Sequence, residues 1–231
     1  MQVVILAGGY ASRLKTLTEN IPKALLKINK KPFINYQLKY LKNQGITDVV
    51  LCLNHLAEQI TSHVGDGSKY GLIVNYSYDG IKPLGTGGAL KNAFNFLDEN
   101  FFVMYGDSFL PVDFKKIYRE FVKKKANALM TIYENKNSFD QSNIIFNKKK
   151  IVLYDKFNHS ETMKFIDYGL SILNKNVLKE VKQKKFDLSS IFTKLSKKDL
   201  LDNYIVRKRF YEIGSFSGIK DFNKYVKKNN L

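Results

Sequence analysis

Two adjacent glycines, Gly8 and Gly9, follow an apolar run at residues 3–7, and an arginine, Arg13, stands just beyond them in a chain that otherwise relies on lysine. Glycines at such a point let backbone N–H groups approach phosphate oxygens with no Cβ in the way. A guanidinium returned to the same anions adds a planar, bidentate grip that an ammonium lacks. The spacing is neither the G-x-G-x-x-G of dinucleotide folds nor the G-K-[ST] of a Walker loop. His55, His63 and His159 share no spacing and have no cysteine neighbours, which argues against zinc. No G-x-S-x-G marks a serine nucleophile. These residue types point to an anion cradle of backbone amides and one guanidinium, and a plain glycine turn with a surface arginine is the competing reading.

A cradle of this kind must sit on a strand end. Apolar runs predict strands at residues 3–7, 48–53, 73–76, 101–105, 128–133, 144–146, 151–154, 168–173 and 204–209. Helical periodicity predicts helices at 34–43, 56–64, 88–96, 114–125, 188–194 and about 221–227. The early strands are nearly continuous hydrophobic runs, as expected when helices cover both faces of a sheet. Strand–helix alternation over about residues 1–125 therefore predicts an α/β fold with a doubly wound, mostly parallel, Rossmann-like mixed sheet. Residues 126–231 are richer in strands and predict a smaller portion added to it. No repeat and no Pro- or Ser-rich linker divides the chain, so a single domain spanning 1–231 is expected. Ligands of such sheets bind beyond the carboxyl ends of the strands, which is where Gly8 and Gly9 fall and where Asp107 follows the run at 101–105.

The formal net charge is +17, but of 38 basic residues only four are arginine. Lysines in runs such as 123–125 and 148–150 read as solvated faces, whereas a nucleic-acid reader more often clusters arginine with aromatics. No nucleic-acid partner is therefore expected, and the positive field favours any anionic substrate. The single cysteine, Cys52, excludes a disulfide framework and fits a reducing cytoplasm. The run at 3–7 is too short for a signal peptide or a membrane span, so no membrane association is expected.

The sequence L-A-G-G-x(3)-R-L followed by Pro22-Lys23 resembles the nucleotide signature of the sugar-1-phosphate nucleotidylyltransferases. Further pieces follow in the order of that family. Residues 83–90, PLGTGGAL, are similar to its second nucleotide loop, and Tyr105-Gly106-Asp107 to its strand-end Gly-Asp. Asp155-Lys156 resembles the Glu-Lys before the sugar-binding loop, and Asp167-Tyr168-Gly169-Leu170 the next sugar-contacting segment. Tyr211-Glu212-Ile213-Gly214-Ser215 resembles a late Asp-x-Gly-Thr motif. The chain departs from the usual first loop, G-G-x-G-T-R, at Ala11 and Ser12, and carries Glu212 where Asp is commoner.

The resemblance implies a Mg²⁺-dependent transfer of a nucleotidyl group from an NTP to a sugar 1-phosphate, with a nucleotide-binding part over about 1–125 and a sugar-binding part over about 126–231. It implies nucleotide contacts from Leu6, Ala7, Gly8, Gly9, Ala11, Ser12, Tyr76, Gly85, Thr86, Gly87 and Gly88. Arg13, Lys23 and Asp107 become the catalytic residues, with Arg13 on the departing pyrophosphate and Lys23 on the α-phosphate. Asp107 and Glu212 become metal ligands, while Asp155, Lys156, Tyr168 and Gly169 take the sugar phosphate. The substrate loops favour GTP with a heptose or hexose 1-phosphate, and GDGSKYGL at 65–72 also resembles uridylyltransferases acting on amino-sugar phosphates. A cytidylyltransferase on a small phosphate is a further option, and a catalytically silent nucleotide-sugar-binding domain is the alternative of a different class. Other readings of single residues stay open: Lys23 as one more solvated lysine, Asp107 as a turn cap, Glu212 as a partner of Arg207 or Arg209, Gly87 and Gly88 as a helix start capped by Thr86, and Tyr76 as a strand-edge aromatic. The sequence assigns no oligomeric state.

Overall fold

The apolar runs form strands that meet side by side. A computed structural model describes residues 1–9, 14–135 and 138–231. In chain order its strands are β1 (Gln2–Leu6), β2 (Lys27–Ile28), β3 (Lys31–Pro32), β4 (Asp48–Leu53), β5 (Ile73–Tyr78), β6 (Asn100–Tyr105) and β7 (Ser108–Phe109). They continue with β8 (Ala128–Glu134), β9 (Ile144–Phe146), β10 (Ile151–Tyr154), β11 (Phe165–Asn174), β12 (Asp202–Val206) and β13 (Tyr211–Glu212). The helices are α1 (Lys15–Thr18), α2 (Phe33–Asn43), α3 (Ala57–Val64), α4 (Gly85–Asn92), α5 (Phe114–Lys124), α6 (Asn176–Lys179), α7 (Ser189–Lys197) and α8 (Phe216–Lys228).

Among the described residues the main sheet has nine strands, in the order β10-β9-β11-β6-β1-β4-β5, with β8 joining β11 to β12. β1 pairs in parallel with both β4 and β6, and β4 with β5. β11 runs antiparallel to β6, so the strand-rich second half continues the same sheet. Side chains alternate between two cores, as the pleat requires. Val3, Ile5, Leu51 and Phe102 face α2, α3 and α5, while Val4, Cys52, Phe101 and Val103 face α4 and α7. Burial on both faces explains the continuous apolar runs of β1, β4 and β6. In α5, Asp113 accepts a hydrogen bond from the Lys116 amide at 2.9 Å, and Phe114, Ile117 and Phe121 point inward between solvated lysines. Each such aromatic or aliphatic side chain stabilises the fold by about 1.5–3 kcal/mol.

A third, smaller core gathers Ile28, Phe33, Phe109, Ile213, Phe222 and Val226. The Phe222 ring meets Phe33 edge-on, with centroids 5.1 Å apart, and lies 5.0 Å from Phe109. This core docks α8 on α2 and fixes two short ladders that no periodicity announces, β2–β3 and β7–β13. Two-residue ladders are too short to carry an alternation signal, which is why they escape a sequence reading. The strand expected at 204–209 is shifted to Asp202–Val206, where it pairs with β8 in parallel. The helix expected from about 221 begins earlier, at Phe216, because the Ser215 side chain accepts from the Gly218 amide and caps it.

Candidate active site

The register of β1 on β6 places Leu6 beside Tyr105, so both strands end at one edge. There the Gly106 amide donates to the Leu6 carbonyl and the Ala7 amide to the Cys52 carbonyl, each at 2.9 Å. The chain after β1 and the chain after β6 therefore open into the same cleft. Leu6, Ala7, Gly8, Gly9, Lys23, Gly85, Thr86 and Asp107 all line it, around a volume of about 260 Å³. Among the described residues, a side chain on Gly9 would meet nothing within 4 Å.

Lys23 reaches this edge on a short 3-10 turn that begins at Pro22, whose extended backbone sets the turn's direction. Its Nζ donates to Asp107 Oδ2 at 2.9 Å. Glu212 arrives through the β7–β13 ladder, in which it pairs with Ser108, the neighbour of Asp107. The Ile213 amide donating to the Asp107 carbonyl at 2.9 Å extends the same connection. A Cβ placed on Gly214 would lie 2.8 Å from Glu212 Oε2, 3.1 Å from Asp107 Oδ2 and 3.5 Å from Lys23 Nζ. Two carboxylates and an ammonium thus converge on one point that a glycine leaves open. The Glu212 carboxylate also accepts from the Gly214 amide and, at 2.5 Å, from the Ser215 hydroxyl, which steadies it. Arg209, one of the partners considered for Glu212, pairs with Asp221 at 3.2 Å.

Two carboxylates form a donor set of the kind a hard divalent cation takes. Among the described residues no group of three or more His, Cys, Asp and Glu side chains could hold a metal. A two-carboxylate site suits Mg²⁺, which keeps several waters and takes its remaining oxygens from phosphates.

A second lysine–aspartate pair also stands within electrostatic reach of Tyr105. Lys156 Nζ donates to Asp187 Oδ2 at 2.9 Å and lies 5.7 Å from the Phe157 ring centroid. Burial raises the Asp187 carboxyl, but hydrogen bonds from Lys156 and Ser189 outweigh it and hold the group below the usual carboxylate range. Asp167 lies close enough to Lys156 to feel its charge, and its carboxylate accepts from the Gly169 amide at 2.9 Å. Burial dominates there and pushes Asp167 up to about 6. Burial, with Asp167, Asp187 and Asp107 adding their charge, raises the Tyr105 hydroxyl well above its ordinary value. Asp187 is absent from the sequence reading, and Asp167 figures there only within its segment. Neither has a local pattern that distinguishes it, since each acquires its setting from strands and loops remote in sequence.

Several expected site residues sit elsewhere. Tyr168 is 1% exposed and belongs to the core with Tyr133 and Phe210, its hydroxyl directed at the Arg209 carbonyl. The pleat turns it to the face opposite Asp167 and Gly169, and the β11–β8 register slips between Asp167 and Ser171 around Gly169, whose φ is +94°. Tyr76 is also on the wrong face for the cleft: it stacks on Tyr78, and its hydroxyl donates to the Gly65 carbonyl. Asp155 spends its carboxylate on the amides of Phe157 and Asn158, at 2.9 and 3.0 Å, shaping the loop that carries Lys156. The amides of Gly87 and Gly88 donate to the Phe186 carbonyl. A Cβ on Gly87 would fall 2.2 Å from the Phe186 ring, so this glycine makes room for a neighbouring segment. Thr86 accepts from the Leu188 amide at 2.8 Å instead of capping α4. Ala11, Ser12 and Arg13 lie outside the described residues.

The description "Nucleotidyl transferase" belongs to a family model that matches residues 2–229. The chain belongs to the nucleotidyl transferase family. It is 31% identical to the D-glycero-alpha-D-manno-heptose 1-phosphate guanylyltransferase of Aneurinibacillus thermoaerophilus, over 91% of this chain and 88% of that protein. It is 30% identical to the protein of the same name from Campylobacter jejuni, over 93% and 95%. Among solved structures, HddC from Yersinia pseudotuberculosis superposes with a TM-score of 0.80 at 25% identity, covering 97% of this chain and 98% of that one. The mixed, mostly parallel sheet of this nucleotidyl transferase is the one its relatives use. No helix among its described residues is long and apolar enough to cross a membrane.

Proposed function

We propose that this nucleotidyl transferase joins a sugar 1-phosphate to an NTP, giving an NDP-sugar and pyrophosphate, with GTP and a heptose 1-phosphate as the favoured pair. The observation that carries the reading is the convergence of Lys23, Asp107 and Glu212 beside the Gly8–Gly9 edge. The base and sugar preferences are supported by relatives named heptose 1-phosphate guanylyltransferases, which match more than nine-tenths of the chain. The cytoplasm, which holds NTP and sugar phosphate together, is the compartment this reading requires.

In the reaction an oxygen of the sugar phosphate bonds to the α-phosphorus, and the bond from that phosphorus to the bridging oxygen breaks, pyrophosphate leaving with the electron pair. Both reactants are polyanions, so positioning and charge neutralisation supply most of the catalysis, with no protein nucleophile. The amides of Gly8 and Gly9, with those of Ala11 and Ser12, hold the nucleotide phosphates, and Gly85 and Thr86 flank the nucleoside. Arg13 takes the departing pyrophosphate. Lys23 gives one of its three protons to Asp107 as a hydrogen bond and keeps the others for the α-phosphate. Asp107 and Glu212 would hold Mg²⁺, which would neutralise charge on the phosphates. Lys156 binds the sugar phosphate, and the backbone at Gly169, with Asp167 beside it, faces the sugar.

The test is pyrophosphate release with Mg²⁺ and a panel of NTPs and sugar 1-phosphates. Fastest release with GTP and a heptose 1-phosphate is expected. Nucleotide binding without release for any pair would overturn the reading in favour of a silent binding domain.

A further inference from the structure

The segment 184–188 touches both the loop at 84–88 and Lys156. Its Phe186 amide donates to the Leu84 carbonyl at 3.0 Å, and its Phe186 carbonyl accepts from the amides of Gly87 and Gly88 at 3.0 and 3.1 Å. The Leu188 amide donates to the Thr86 hydroxyl. Four hydrogen bonds thus lock residues 186–188 onto the loop at 84–88, and glycines at 85, 87 and 88 allow the approach. Between those anchors stands Asp187, whose two carboxylate oxygens take different partners: Oδ1 accepts from the Ser189 amide at 2.9 Å and Oδ2 from Lys156. The carboxylate is therefore held from its own backbone and aimed outward at the lysine.

We infer that Asp187 is a positioning residue that aims Lys156 at the sugar phosphate and ties its placement to the nucleotide loop through the strap at 186–188. This rests on the reading of Lys156 as a sugar-phosphate ligand. A free lysine side chain samples many rotamers, and most of that freedom would be lost on binding a phosphate. The ion pair removes much of it in advance, and Phe157 bounds the ammonium on another side. Asp187 uses one of the three Nζ protons and leaves the others for phosphate oxygens. Because the strap is bonded to Thr86 and the glycine amides, a shift of the nucleotide loop moves the carboxylate that aims the lysine.

The experiment measures kcat and KM for both substrates in the wild type, Asp187→Asn, Asp187→Glu, Thr86→Val, Lys156→Ala and the Asp187→Asn/Thr86→Val double variant. Asp187→Asn should raise the sugar-phosphate KM about tenfold, the loss expected for a hydrogen bond to a charged group, with kcat within about twofold. Asp187→Glu should recover part of that loss. Thr86→Val, which cannot accept from the Leu188 amide, should raise the sugar-phosphate KM as well, and its effect should fail to add to that of Asp187→Asn. A sugar-phosphate KM within about twofold of wild type in both Asp187→Asn and Thr86→Val would overturn the inference. Additive effects of the two changes would equally remove the link to the nucleotide loop. If Lys156→Ala raises the KM while Asp187→Asn does not, the inference fails and the sugar-phosphate role of Lys156 stands. If Lys156→Ala also leaves the KM unchanged, that role fails with it.

Discussion

Two lysine–aspartate pairs, each closed at 2.9 Å, stand within electrostatic reach of Tyr105, and they are built differently. Lys23–Asp107 rests on the ends of parallel strands and on the third core, with side chains 19% and 29% exposed. Lys156–Asp187 joins two loops, with side chains 39% and 32% exposed, and owes its geometry to hydrogen bonds from Phe186 and Leu188 to the loop at 84–88. In the first pair the aspartate is set by the sheet and the lysine by the 3-10 turn after Pro22. The second is set by a strap laid across the helix that follows the second loop. A rigid frame suits charge that must meet the reacting phosphorus, whereas a strap suits a group that meets one substrate and reports on the other.

The largest effect separates the pairs. Asp107→Ala should lower turnover about a thousandfold, the scale on which a single preorganised electrostatic group acts, and it should leave the melting temperature nearly unchanged, since a strand-end carboxylate adds little to the core. Retained turnover in a pyrophosphate-release assay would place the reaction elsewhere. Lys156→Ala should instead act mainly on binding, raising the sugar-phosphate KM about 10–100-fold while the nucleotide KM holds. A matching rise in both constants would erase the distinction between the pairs.

A smaller effect sharpens the frame. Gly214→Ala adds a Cβ 2.8 Å from Glu212 Oε2 and 3.1 Å from Asp107 Oδ2. It should spread the two carboxylates, lower activity roughly tenfold and raise the Mg²⁺ concentration needed for half-maximal rate. An unchanged Mg²⁺ titration would show that the carboxylates do not act together.

The last effect, on stability and not on rate, belongs to Asp167. Its carboxyl titrates at about 6 in the fold because burial disfavours its charge, against 3.8 for an ordinary aspartate. The folded form therefore binds the proton more tightly than the unfolded chain, so stability present below the unfolded pKa falls as pH rises through the window from 3.8 to about 6. Asp167→Asn should match the wild type near pH 4 and exceed it at pH 7, by at most about 3 kcal/mol. Melting curves that coincide across that range would mean that the carboxylate carries no burial cost.

Much of this arrangement was legible in the sequence, and the reasons differ by region. Strand β4 falls where its run predicts because burial on both helix-covered faces of the sheet leaves a strong apolar signal; β9 and β10 also fall where predicted, although each buries only part of its run. Gly8, Gly9 and Asp107 were legible as a cluster because the parallel strands β1 and β6 end at one sheet edge, whereas Lys23, on a 3-10 turn, was legible only through the family resemblance. Tyr168 and Tyr76 were misplaced because a one-residue step along a strand reverses the face, and the slip around Gly169 hides the count. Asp187 was not visible at all, since its role comes from a segment that folds back on α4. The β7–β13 ladder escaped notice for want of length, although it is what sets Glu212 beside Asp107.

That ladder has a consequence for how the molecule matures during synthesis. Translation delivers Asp107 long before Glu212, and the second carboxylate arrives only with the residues that lead into α8. The first strands and their helices can pack while the ribosome is still working, yet the two acids meet only when β13 zips onto β7 and Phe222 seats beside Phe109. The nascent chain therefore carries the glycine edge and Asp107 well before it carries Glu212, and the two carboxylates are brought together only once β13 has joined β7.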